Sequence, residues 1–193
     1  MYCDMTKLLT PAEKGDFKIE HFEVKERTFR IMLDGITPGT YVKLTYMGEV
    51  VMSNTPMERR TNASFVANAY GDVLIGGLGI GMIVMSIQAH EKVKSITIIE
   101  KNQEVIDLVA SQLPFNSKVR IIHADVFEWK PERGQRFDCI YMDIWNYINE
   151  DVYHDEMKPL KRKYGHYLKS IALSPGRFNY CWAEENAKHG WRI

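Results

Sequence analysis

The sequence predicts an α/β protein with a mostly parallel sheet, preceded by a small antiparallel β-unit. Three observations carry that prediction. Apolar runs at 73–76, 93–99, 119–123 and 138–142 recur at intervals of roughly 20–25 residues, with helical patterns near 80–90 and 102–113 separating the first three. The first run enters a glycine-rich turn, Gly76-Gly77-Leu78-Gly79-Ile80-Gly81. An acid stands at or just past the end of each later run: Glu100, Asp125 and Asp143. Strands alternating with helices imply right-handed crossovers and parallel pairing. The glycines and acids then gather at the C-terminal edge of the sheet, where open α/β sheets bind ligands.

The elements can be justified in order. Residues 1–15 read as a polar lead-in. Phe17 to Val24 alternates apolar with polar, Phe29 to Leu33 is a second extended run, and Tyr41 to Ser53 alternates around Met47-Gly48-Glu49, a hairpin pattern. Residues 1–55 therefore form an N-terminal β-hairpin unit, and residues 56–193 a nucleotide-binding domain with a helical tail. Thr55, Pro56 and Glu58 make a capping box with proline at the first helical position. Met57, Thr61, Phe65 and Ala69 recur on one face of the helix that follows. Residues 128–135 carry Pro131 and Gly134 and read as loop. In the tail, Pro159 to Ile171 has helical spacing and Ser174-Pro175-Gly176 is a turn. Phe178 to Trp182 fits a short strand, while 181–189 fits a terminal helix. The parallel sheet is expected to stop near four strands.

Composition bounds the partners. Among 193 residues, 25 basic side chains balance 25 acidic ones, which argues against nucleic acid or a membrane surface as a partner, since both need a basic excess. Cys3, Cys139 and Cys181 are distant from one another and read as free thiols in a reducing compartment, Cys139 as core. No leader pattern begins the chain, and no apolar run approaches the ~18 residues that span a membrane, so a cytoplasmic location is expected. The histidines show no metal-ligand spacing and no metal is expected. A homodimer is compatible with the sequence.

The glycine spacing separates ligand classes. A dinucleotide turn starting at Gly77 needs Gly or Ala at position 82, where the chain has Met82. Gly77, Gly79 and Gly81 instead fit G-x-G-x-G. This loop is similar to that of class I S-adenosylmethionine-dependent methyltransferases. The run from Tyr41 to about Trp145 resembles the spermidine-synthase-like branch in particular. The resemblance rests on the hairpin, on Ile99-Glu100-Lys101-Asn102-Gln103-Glu104-Val105-Ile106, on Ile121-Ile122-His123-Ala124-Asp125-Val126-Phe127, and on Phe137-Asp138-Cys139-Ile140-Tyr141-Met142-Asp143.

The resemblance implies a Rossmann-like methyltransferase fold, shortened at its C-terminal end, and S-adenosyl-L-methionine as the cofactor. Gly77, Gly79 and Gly81 would admit the ligand, and Glu100 would accept from both ribose hydroxyls. Asp125 would face the adenine amino group, with Val126 offering its N–H to a ring nitrogen. Asp143 would lie beside the sulfonium, as the catalytic group that orients a nucleophile. The bland readings are loop geometry for the glycines, a solvated charge for Glu100, and caps for Asp125 and Asp143. The chain also departs from the branch. No acid occurs from Val73 to Gln88, Asn146 stands where a second aspartate is expected, and the next acids are Glu150 and Asp151. Trp145 could wall the pocket and stack on an acceptor or the adenine, or be a packed core side chain. Lys158, Lys161, Arg162, Lys163 and Lys169 form a basic cluster that could meet an acidic partner or simply be solvated. The expected function is methyl transfer to an unidentified small-molecule acceptor. The alternatives are a polyamine aminopropyltransferase and a non-catalytic adenosyl-ligand binder.

Overall fold

The computed structural model describes residues 2–25 and 36–191. The extended run expected at Phe29 to Leu33 lies outside them. A short helix α1 (Met5–Leu8) and strands β1 (Ala12–Lys14), β2 (Phe17–Val24), β3 (Gly39–Tyr46) and β4 (Glu49–Ser53) open the chain. The four strands pair in sequence order as an antiparallel sheet. β3 and β4 turn at Met47 and Gly48, both at positive φ, as a tight two-residue hairpin requires. The lead-in is more than polar: Met5 and Leu9 are fully buried against the rest of the core.

Helix α2 (Pro56–Asn68) then leads to β5 (Gly71–Gly76), α3 (Met82–Ile87), β6 (Val93–Glu100), α4 (Gln103–Ala110), β7 (Val119–His123) and β8 (Cys139–Met142). The tail holds α5 (Glu150–Val152), a π-helical turn over Tyr153–Met157, α6 (Lys158–Gly165), β9 (Phe178–Cys181) and α7 (Glu184–His189). A second sheet, all parallel, has the order β7-β6-β5-β8-β9. It has five strands, one more than expected. β9 is the strand that the sequence left in balance against a helix, and the helix expected there follows it as α7. Phe178 meets the buried ring of Phe65 edge to face, with centroids 5.9 Å apart, which gives this short strand a buried partner.

Side chains alternate across the parallel sheet with the strand period of two. Val73, Ile75, Cys139 and Tyr141 face the core shared with the antiparallel sheet, α2, α3 and α4. Leu74, Ile140 and Met142 face the tail, packing against Met157, Leu160 and Tyr164. Two local expectations fail. Thr55 makes no side-chain cap; its hydroxyl accepts from Ser53 at 3.0 Å instead, so the capping box does not close. The buried face of α2 is Glu58, Asn62, Phe65 and Val66, shifted from the expected stripe because two polar side chains point inward. The basic cluster is not one surface. Lys161 pairs with Glu184, Lys163 donates to the carbonyls of Val126 and Phe127, and Lys169 bridges Asp72 and Asp138 at 2.7 Å each. Among the described residues no helix is long and apolar enough to cross a membrane.

Candidate ligand cavity

The order of the parallel strands reverses between β5 and β8, and a crevice opens there at their C-terminal ends. A cavity of about 730 Å³ occupies it, within the range of small-molecule sites. Its lining brings together Gly77, Gly79, Glu100, Asp125, Val126 and Asp143. The antiparallel sheet supplies a further wall through Phe17, Leu44 and Met52.

The glycine loop is fixed by local geometry. Gly77, Gly79 and Gly81 all hold φ between 51° and 92°, a region that side chains disfavour. A Cβ on Gly77 would fall 2.2 Å from the carbonyl oxygen of Asp143, so the loop lies directly on the end of β8. Gly81 does not reach the cavity lining. It caps α3, where a Cβ would meet Leu113 at 2.3 Å.

Glu100 is no solvated charge, being only 6% exposed. Its Oε2 accepts from the Leu78 N–H at 2.9 Å, and Oε1 accepts from the backbone and side-chain nitrogens of Asn102 at 2.8 and 3.1 Å. The carboxylate thus ties the glycine loop to β6. A carboxylate offers about four acceptor sites, so these three donors leave one, on Oε2.

Asp125 does what its bland reading foresaw and still lines the cavity. Its Oδ1 accepts from the Phe127 N–H at 2.8 Å, closing a turn, and its Oδ2 pairs with Lys101 at 2.9 Å. Burial works to raise this carboxyl, but the Lys101 ammonium and the Phe127 N–H outweigh it and keep it ionised. Val126 gives its carbonyl to Lys163 and Tyr164. Its N–H has no backbone acceptor among the described residues.

Asp143 is anchored through its own N–H to Gly76 at 2.9 Å. Burial, with the charge of Glu58 added, pushes its carboxyl well above the usual carboxylate range. Glu58 is the cavity residue that the sequence hid, since it reads as half of a capping box. It is 9% exposed and lies on the cavity wall, with the Ser53 N–H bonded to it; burial pushes its carboxyl up to about 7. Glu156 was missed for another reason. The π-helical turn shifts it off the regular helical spacing and into the lining, where its Oε2 accepts from the Trp145 indole at 2.7 Å. Asn146 thus leaves no second acid on the segment after Asp143 until Glu150 and Asp151, but Glu58 and Glu156 line the same cavity from elsewhere in the chain. Trp145 lines the cavity and is also packed into the core on the tail side, and Trp182 joins the lining, its indole held by Thr61 at 3.0 Å.

No family model matches the chain. A polyamine aminopropyltransferase of Leptospira interrogans is 31% identical over 81 residues, 37% of this chain and 16% of that protein. Polyamine aminopropyltransferase 1 of Streptomyces coelicolor is 26% identical over 116 residues, 53% of this chain and 22% of that protein. The chain thus spans less than a quarter of the length of either curated relative. Among solved structures, the N-methyltransferase NodS from Bradyrhizobium japonicum in complex with S-adenosyl-L-homocysteine superposes with a TM-score of 0.47. The two are 15% identical, over 59% of this chain and 58% of that one. An S-adenosylmethionine-dependent methyltransferase from Clostridium acetobutylicum gives a TM-score of 0.40 and 20% identity, over 56% and 43%. Over the stretches matched to these curated relatives the chain is similar in sequence to polyamine aminopropyltransferases.

Proposed function

We propose that this cavity binds S-adenosylmethionine and that the protein transfers the methyl group to a small-molecule acceptor, which the cavity does not name. One observation carries the reading: Gly77, Glu100, Asp125 with Val126, and Asp143 stand at the ends of four adjacent parallel strands and line one cavity. The donor chemistry of these groups fits the ligand. Glu100 has one acceptor site for a ribose hydroxyl, Val126 has a backbone donor for a purine ring, and Gly77 and Gly79 present no side chain. A bound sulfonium supplies an activated carbon, so the chain's own task is to orient the acceptor and exclude water. In this reading Asp143 and the indoles of Trp145 and Trp182, all on the cavity lining, do both. The test is thermal stabilisation by S-adenosylmethionine or S-adenosylhomocysteine, expected at a few kcal/mol at saturating ligand, with none from NAD or ATP. Equal stabilisation by NAD overturns the reading.

A second reading, aminopropyl transfer from the decarboxylated donor, gains from Glu58 and Glu156, which supply acids beside Asp143. It is opposed by the absence of any acid in the glycine loop and by Asn146, which cannot act as a base. Titration with both donors separates the two: methyl transfer requires that the carboxylate-bearing donor bind at least as well as the decarboxylated one.

A further inference from the structure

The parallel sheet ends at β9, and β8 covers only one side of that strand. The N–H groups of Phe178 and Trp182 donate inward, to the carbonyls of Asp138 and Met142. With the strand period of two, the backbone groups of Asn179 and Cys181 therefore point out of the sheet. Glu184 accepts from the Cys181 N–H at 3.3 Å. The Asn179 N–H and C=O have no hydrogen-bond partner among the described residues.

An open edge is ordinarily blunted by charge, proline, a bulge or brevity. The other sheet edges among the described residues follow that rule. β1 carries Glu13 and Lys14, β4 opens on Glu49 and shifts register against β3, and β7 carries Arg120 and His123. β9 reads Phe-Asn-Tyr-Cys, with no charge, no proline and an unbroken register. The strand is short, but apolar surface continues past it. Tyr180 is 54% exposed, and on the turn that enters the strand Ile171 and Leu173 are 65% and 79% exposed. A row of rings leads out to this edge. Tyr141 stacks on Phe65 at 4.1 Å, Phe65 meets Phe178 at 5.9 Å, and Phe178 stacks on Tyr180 at 5.3 Å.

We infer that β9 pairs with β9 of a second copy of this chain, antiparallel across a two-fold axis at Asn179. The strand is its own complement about that point. Asn179 and the partner's Asn179 exchange the two backbone bonds that each lacks alone. One residue to either side, Phe178 falls opposite the partner's Tyr180 and Tyr180 opposite the partner's Phe178, so the row of rings closes across the axis as cross-strand aromatic pairs. Charge selects the same direction. Arg177 precedes the strand, and Glu184 and Glu185 follow it. Antiparallel pairing sets these unlike ends side by side, where parallel pairing would set like ends together. An isologous contact uses up the edge in both copies, so assembly stops at two. The ligand cavities, at the C-terminal ends of the strands, then open toward opposite ends of the dimer. The inference is thus independent of what the cavity binds.

Sedimentation velocity and amide exchange by NMR, both under reducing conditions, test it on the full chain. Between roughly 5 and 500 μM the wild type should pass from monomer to dimer, as a small interface implies. Over the same range the Asn179 amide should gain protection at least tenfold, because it moves from solvent into a ladder bond. Tyr180→Lys should raise the dimer dissociation constant roughly tenfold or more, since a two-fold contact takes each substitution twice, while Tyr180→Phe should leave it nearly unchanged. A wild type that stays monomeric at the highest concentration overturns the inference. So does a dimer in which the Asn179 amide remains unprotected, since the copies then meet elsewhere, or one that Tyr180→Lys leaves intact. If circular dichroism shows that Tyr180→Lys does not fold, the wild-type amide result alone decides.

Discussion

Replacing Glu58 by Gln should make the protein more stable at alkaline pH. The carboxyl is held at about 7 by burial, against about 4.3 in an unfolded chain. A raised carboxyl favours folding fully below the unfolded value, and that contribution is lost as pH rises from about 4 to about 7. Above that window the folded state carries a buried anion, at a cost of roughly 3 kcal/mol for an upward shift of this size. Gln keeps the shape and can still accept from the Ser53 N–H, but it carries no charge. Relief of the neighbouring Asp143, which the Glu58 charge also raises, acts in the same direction. The variant should match wild type near pH 4. It should exceed wild type by up to about 3 kcal/mol at pH 8, or roughly 6–12 °C in Tm for a chain of this length. Urea unfolding at several pH values measures it. A Gln variant less stable than wild type at pH 8, or a difference that does not change with pH, would refute the burial argument for Glu58.

Glu100→Ala should lower stability by about 2–4 kcal/mol even without ligand, because it orphans the buried Leu78 N–H and frees Asn102; an unchanged melting temperature would mean that the carboxylate does not tie the loop. Gly77→Ala should cost about 2–5 kcal/mol, from a left-handed backbone and a Cβ driven into the Asp143 carbonyl, and thermal melting with S-adenosylhomocysteine should show the ligand shift lost as well. Lys169→Met leaves Asp138 and Asp72 facing each other without their cation and should cost about 2–4 kcal/mol by urea unfolding. For Asp138, burial works to raise the carboxyl, but Lys169, the Asp72 N–H and Ser174 hold it below the usual range. Its contribution is thus present above about pH 4 and fades as pH falls further, and Asp138→Asn should remove that acid-side loss.

The part of the site legible in the sequence is the part built from strand ends. Gly77, Glu100, Asp125 and Asp143 each follow an apolar run, and a parallel sheet brings such ends together whatever else the chain does. What was not legible came from side chains whose direction depends on tertiary contacts. Glu58 has the spacing of a cap, and only the uncapped Thr55 shows otherwise. Glu156 sits off the helical period because of a π-turn, which no periodicity reveals. β9 was ambiguous because four residues are too few to show alternation, and its pairing with β8 decides it. Lys161, Lys163 and Lys169 look like one basic face in sequence, yet they separate because the helix ends at Gly165 and the chain turns back to pair Leu168 with Phe137.

The π-turn has a consequence for how this cavity could change over generations. Such a turn carries one more residue than a regular helix would need over the same rise, and each helical residue turns the chain by about 100°. Val152 before it and Leu160 and Tyr164 after it are anchored in the core on the tail side of the sheet. Loss of a single codon between Tyr153 and Met157 could therefore restore an ordinary helix between fixed anchors. It would also swing a different side chain into the place of Glu156, leaving Trp145 to find another acceptor. The chemistry of the cavity rim can thus be revised by length alone, without altering the sheet, the glycine loop or the two carboxyls beneath.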